Sequence, residues 1–168
     1  TTPSGCGKWA RHSELCAVAC ARSNGDEVGR VDMTEWGTPP DLFARLHGEF
    51  AFTVDGAASP SNALLPRWWG QCDRVLDRSW AGERVWLNPP YSRSLGAWVR
   101  KARREAEAGA LVVMLIPAKT DTSWWHEEIL PAAEVRFIRG RLRYTGAPGR
   151  AKWPVAVVVF RPPEDMET

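Results

Sequence analysis

From Leu95 to Ala108 the apolar residues Leu95, Trp98, Val99, Ala102 and Ala106 recur at helical spacing, and Gly109 supplies the stop. The run that follows, Ala110 to Ile116, is apolar at all seven positions, as a strand buried on both faces of a sheet requires. Arg84–Leu87, Val135–Ile138 and Val155–Phe160 read as further strands, and Phe50, Phe52 and Val54 alternate as a short one that closes on Asp55 and small residues. Helices are expected from Asp41 to Leu46, led in by Pro39 and Pro40, from Trp124 to Leu130, and over the short stretch Leu15 to Ala21. Strands alternating with helices, the central ones apolar throughout, predict an α/β layered fold with a largely parallel sheet. The ligand crevice of such a sheet lies beyond the carboxyl ends of its strands, which directs attention to Asp55, to Asn88–Tyr91 and to Pro117–Asp121.

A chain of 168 residues suits one domain with a single core. With 44% hydrophobic and 25% charged residues, disordered, collagen-like and coiled-coil classes are excluded. No apolar run approaches the ~18–20 residues that cross a bilayer, and the first residues show no secretory pattern, so a soluble, intracellular protein with free thiols is expected. Cys6, His12, Cys16 and Cys20 lack paired Cys-x2-Cys spacing, so no metal site is expected, and Cys72 stands apart. The net charge of +2 is too mild to establish a nucleic-acid partner. Basic residues nevertheless crowd at Arg100–Arg104 and again at Arg136, Arg139, Arg141, Arg143, Arg150 and Lys152, either as a solvated face or as a surface for phosphates. Ten Trp beside two Tyr and five Phe exceed what a small core needs, which places part of the indoles at the surface or along a groove.

Asn88-Pro89-Pro90-Tyr91 is the sharpest chemical signal. Two consecutive prolines after a buried strand fix φ twice and remove two backbone donors, leaving a rigid loop that projects acceptors. An Asn oxygen and a proline carbonyl can accept both hydrogens of a planar amine while the Tyr ring stacks on its face. The lone pair of such an amine is delocalised into its ring. Two acceptors that draw the N–H bonds toward tetrahedral geometry localise that lone pair for attack on a methyl electrophile, by positioning and oriented dipoles alone.

Asn88–Tyr91 is similar to the catalytic motif of S-adenosylmethionine-dependent amino-methyltransferases. The ordered set Glu35–Pro40, Phe52–Ala58, Trp86–Tyr91, Leu115–Thr122 and Phe137–Leu142, followed by a Val-rich strand, resembles the phage-type DNA N6-adenine methyltransferases over roughly Met33 to Pro162. The resemblance implies S-adenosylmethionine as cofactor, DNA as partner, no membrane association, and the cytoplasm of a bacterial host for a phage-encoded protein. Thr38 and Pro39 match the first motif, beside the methionine end of the cofactor; Asp55, with Ala57, matches the cofactor-binding end of the first core strand; Asn88, Pro89, Pro90 and Tyr91 match the loop that grips a flipped-out adenine. Lys119, after the strongest strand, and Arg139 and Arg141, in an alternating stretch that would set arginines on one strand face, are the candidate DNA contacts.

The chain departs from that pattern in two ways. Only Gly56 follows Asp55 where a Gly-rich loop is usual, and Asp73 and Asp77 have no clear strand before them to make either the ribose-binding acid. Only 33 positions separate Asp55 from Asn88, too few for two full βα units. The expected fold is therefore α/β, a trimmed Rossmann-like methyltransferase fold with a mixed, mostly parallel sheet flanked by helices. Its expected organisation is an N-terminal extension over 1–33, a catalytic domain over 34–163 and a tail over 164–168, as a monomer or homodimer. Two other readings stay open on the residues alone. One is methylation of a different planar amine or amide, such as a protein glutamine, by the same loop. The other is an inactive nucleic-acid binder that stacks bases on Trp68, Trp69, Trp124 and Trp125.

Overall fold

A computed structural model describes residues 36–70 and 73–163. The expected extension over 1–33, with its helix and its Cys and His residues, lies outside the described residues, as do Cys72 and the tail over 164–168. Five strands form one open sheet: β1 Val54–Asp55, β2 Arg84–Leu87, β3 Leu111–Pro117, β4 Glu134–Phe137 and β5 Val155–Phe160, in the order β1-β2-β3-β5-β4. β1, β2 and β3 are parallel, and β5 alone runs against its neighbours. This is the mixed, mostly parallel α/β sheet that the apolar runs require.

Side chains of β3 alternate between two cores, as the period of a strand dictates. Val112, Met114 and Ile116 pack with Leu95, Val99, Ala102 and Ala106 of helix α2, Leu95–Glu107, and with Trp125 and Ile129 of a π-helix, Trp125–Ile129. Leu111, Val113 and Leu115 pack on the opposite face with Leu42, Phe43, Leu46 and Phe50 of helix α1, Pro40–Phe50. Gly96 leaves room on α2 for an indole, since a Cβ there would lie 3.0 Å from Trp124 Cδ1. Buried Glu105 ties α2 to the turn before β2, accepting 2.6 Å hydrogen bonds from the Trp80 backbone N–H and from Lys101.

Among the described residues no full strand lies between Asp55 and Arg84. The chain instead returns along β1 as a single parallel bridge between Asp55 and Trp68, with Asp55 N–H donating to Arg67 O and Trp69 N–H donating to Asp55 O. That bridge covers the outer edge of a two-residue strand. It is the trimming that the short spacing from Asp55 to Asn88 predicts.

Three expectations are corrected. Phe50 belongs to α1, not to a strand: its spacing from Leu42, Phe43 and Leu46 is helical, and α1 ends only where Ala51 adopts φ 48° and donates to His47 O. The alternation from Arg136 to Arg143 does not form an arginine face, because β4 ends at Phe137 and Gly140, at φ +79°, turns the chain away. Arg136 is held by Glu49 and Glu134. Trp69 and Trp125, offered as exposed stacking indoles, are 4% and 1% exposed, and both fill the α2-side core.

Candidate active site

The carboxyl ends of β1 and β2 open on one cleft, lined by Trp36, Gly37 and Thr38, by Asp55, Ala57, Asn62 and Leu64, and by Trp86 and Asn88. Residues far apart in sequence are fixed there by backbone pairing. Gly37 and Thr145 exchange N–H···O bonds of 3.0 and 2.9 Å, which anchors Trp36 and Thr38. Pro39, expected beside Thr38, ends the segment instead: its carbonyl accepts the Phe43 N–H at the start of α1, and it does not line the cleft.

Asp55 is 3% exposed. Its Oδ2 accepts the Leu64 N–H at 3.1 Å and its Oδ1 the Ala57 N–H at 3.4 Å, so the carboxylate folds the following loop back on itself. Burial outweighs these two bonds and raises its pKa to about 6, and no cation among the described residues pairs with it. Gly56 is needed for packing. A Cβ there would come within 2.7 Å of Leu87 Cδ2 and 2.8 Å of Val85 Cγ1, while its N–H donates to Trp86 O. Asp73 and Asp77, by contrast, are exposed: Asp73 accepts the Gly70 N–H and Asp77 pairs with Arg74. Neither lines the cleft.

Three cleft residues carry buried polar atoms with no hydrogen-bond partner among the described residues: Trp36 Nε1, Thr38 Oγ1 and Trp86 Nε1. A buried donor without a partner is costly, on the order of 1–3 kcal/mol. Such a set, beside an uncompensated carboxylate, matches a ligand that carries acceptors and a cationic group.

The loop Asn88–Tyr91 leaves β2 at this cleft, but only Asn88 lines it; Pro89, which is buried, Pro90 and Tyr91 lie behind Asn88 along the chain and are not part of the lining. Asn88 Nδ2 donates to Trp36 O at 3.1 Å, which orients the amide and turns Oδ1 away from that contact. Pro90 O is occupied by the Ser92 N–H at 2.9 Å, whereas Pro89 O accepts no hydrogen bond among the described residues. The Tyr91 hydroxyl lies 3.0 Å from Leu115 O, 3.3 Å from Asn88 Oδ1 and in hydrogen-bond contact with the Tyr144 hydroxyl. Tyr91 has one proton for these acceptors, and either hydroxyl of the Tyr91–Tyr144 pair can donate to the other. An amide oxygen has two lone pairs, so Asn88 Oδ1 keeps one acceptor position even where Tyr91 donates to it. Burial raises both phenols, Tyr144 to about 12 and Tyr91 well above its ordinary value, so neither ionises near neutral pH. Tyr144 also meets Tyr91 edge-on at 5.9 Å and stacks on Trp36 at 6.1 Å. No sequence pattern marks Tyr144, which reaches Tyr91 across a separation of 53 residues.

The candidate DNA contacts lie outside the cleft. Lys119 follows β3, half-buried, with Nζ 5.8 Å from the centre of the Trp153 ring. Arg139 and Arg141 are exposed in the connection from β4 to β5, where Arg141 donates to Lys152 O at 2.7 Å. Among the described residues no cluster of His, Cys, Asp and Glu could hold a metal ion, and no helix is long and apolar enough to cross a membrane.

Residues 27–155 match the family model described as DNA N-6-adenine-methyltransferase (Dam). A DNA N-6-adenine-methyltransferase of Escherichia phage T1 is 37% identical over 109 residues, 64% of this chain and 45% of the relative. Another of the same name, from Haemophilus phage HP1, is 28% identical over 111 residues, 65% of this chain and 64% of the relative. The chain thus spans about half the length of the first relative and under two thirds of the second.

Proposed function

The chain belongs to the DNA N-6-adenine-methyltransferase (Dam) family, and from that premise we propose that it transfers a methyl group from S-adenosylmethionine to the N6 amine of adenine in DNA. One observation carries the proposal: Thr38, Asp55 and Asn88, from three separate motifs, line a single cleft whose buried donors lack partners. S-adenosylmethionine, when bound, supplies an electrophilic methyl on a sulfonium. Asp55 would hold its ammonium group, and Thr38 with the indole N–H groups of Trp36 and Trp86 would donate to its oxygens. Ala57 contributes the adjoining wall.

Asn88 Oδ1 and Pro89 O would receive the hydrogens of N6 and localise its lone pair. Pro90 keeps the loop rigid, with its own carbonyl committed to Ser92. Tyr91 offers its ring to the base while its hydroxyl stays fixed to Leu115 O. The Tyr144 hydroxyl, hydrogen-bonded to that of Tyr91, would help hold the ring in place. The adenine must leave the duplex to reach this loop, because N6 is paired and stacked inside it. Lys119, Arg139 and Arg141, exposed or half-exposed beyond the cleft, would hold phosphates. Burial of Trp69 and Trp125 argues against the stacking-only binder, and the family argues against a glutamine substrate.

Calorimetric titration with S-adenosylhomocysteine tests the cofactor half of the reading. Binding by the wild type, weakened at least tenfold in Thr38→Val and retained in Asn88→Ala, is the expected result; equal affinity in Thr38→Val refutes the placement.

A further inference from the structure

We propose that Trp153, with Lys119 and Lys152 beside it, is a stacking platform that seats a nucleobase of the DNA substrate outside the cleft that takes the reacting adenine. The inference rests on the function proposed above and adds a contact that the motifs do not contain. Most described indoles are at least half-buried, but Trp153 is 50% exposed. The ammonium groups of Lys119 and Lys152 each lie 5.8 Å from the centre of its ring, within the reach of a cation–π contact. Neither lysine enters an ion pair among the described residues, in contrast to Arg136 and Arg161, which Glu49 and Glu134 neutralise. Arg141 adds a third cation, bonded to Lys152 O. An exposed indole with two unpaired and movable ammonium groups over its ring is the chemistry that takes a base on the ring, the lysines swinging aside to phosphates.

Sheet register puts this platform at the same end of the molecule as the catalytic loop. Leu87 is opposite Met114, so Asn88 is level with Leu115, whereas Val155 is opposite Pro117 and Ala118 N–H donates to Pro154 O. Trp153 therefore stands farther out along the strand direction by on the order of 10 Å, and two strands across by roughly another 10 Å. It does not line the cleft and stands several base-pair steps from Asn88. A DNA substrate with one adenine extruded toward Asn88 would place there a base several steps along the strand, at a strand end or an opened pair where its face is free.

The test compares wild type, Trp153→Ala and Trp153→Phe in steady-state methyl transfer to an adenine-containing duplex and in fluorescence anisotropy with the same labelled duplex. Trp153→Ala is expected to raise KM and Kd for DNA about tenfold, the scale of one lost base–aromatic stack. Its kcat at saturating DNA and its affinity for S-adenosylhomocysteine should stay within about twofold of wild type, and Trp153→Phe should recover most of the loss. A Trp153→Ala protein that binds and methylates the duplex as well as wild type overturns the platform alone. A tenfold loss that Trp153→Phe does not recover overturns it as well. A wild type that neither binds nor methylates DNA overturns the proposed function, and the platform with it.

Discussion

Replacing Asp55 with Asn should make the protein more stable at neutral pH and a poorer binder of the cofactor. The buried carboxyl of Asp55 has its pKa raised from 3.8 to about 6, so holding it ionised in the fold costs about 3 kcal/mol. Because the folded value is the higher one, this cost is absent below about pH 3.8, grows as pH rises toward 6 and is complete above it. Asn removes the charge and keeps one oxygen for the Leu64 N–H, but it forfeits the longer bond from Ala57, a loss of about 1 kcal/mol. The net expectation is a gain of about 2 kcal/mol at pH 7.5 that disappears, or reverses by about 1 kcal/mol, at pH 4. Urea denaturation of both proteins at the two pH values measures this difference, in which all other titrating groups cancel. Calorimetry with S-adenosylhomocysteine completes the test: wild-type affinity should fall as pH drops from 7.5 to 5, while Asp55→Asn should bind more weakly and show little pH dependence. A variant less stable than wild type by the same amount at both pH values would refute the argument that Asp55 is held as an uncompensated charge for a cationic ligand.

Two further expectations follow from the geometry. Tyr144→Phe keeps the ring against Trp36 and Tyr91 but removes the hydroxyl that bonds Tyr91, leaving the Tyr91 hydroxyl to Leu115 O and Asn88 Oδ1 alone. We expect kcat to fall about tenfold, about 1.4 kcal/mol, with S-adenosylhomocysteine affinity within about twofold of wild type; unchanged kcat in methyl transfer would remove Tyr144 from the network. Gly56→Ala drives a methyl into Val85 and Leu87, both fully buried, and should destabilise the fold by about 1–3 kcal/mol in urea denaturation, whereas a neutral effect would show that β2 yields at that point.

Much of this fold was legible because its central strands are buried on both faces. The apolar runs over β3 and β5 are too short for a buried helix and rich in Val, and α2 announces itself by its apolar spacing and by Gly109, at φ +101°. Where side chains are shared between neighbouring elements the pattern misleads: Phe50 and Phe52 look like one alternating strand, yet a left-handed Ala51 separates a helix end from an extended residue. Asp55 and Asn88 are legible as strand ends and Thr38 only through the resemblance of its motif; the three line one cleft. Tyr144, Asn62 and Leu64 are not legible, since each reaches the site through a long connection whose course depends on tertiary packing. The alternation through Arg139 and Arg141 suggests a strand face that does not exist, because β4 has already ended at Phe137.

If the Asn88–Tyr91 loop positions the N6 amine of adenine for methyl transfer, the modified base itself will show it. The most direct test is to incubate the protein with S-adenosylmethionine and unmethylated duplex DNA, digest the product to nucleosides and identify any methylated base by mass spectrometry. The wild type should yield N6-methyldeoxyadenosine and Asn88→Ala none above background, although that variant still binds S-adenosylhomocysteine. Methyl appearing on another base, or undiminished N6 methylation by Asn88→Ala, would contradict that role of the loop.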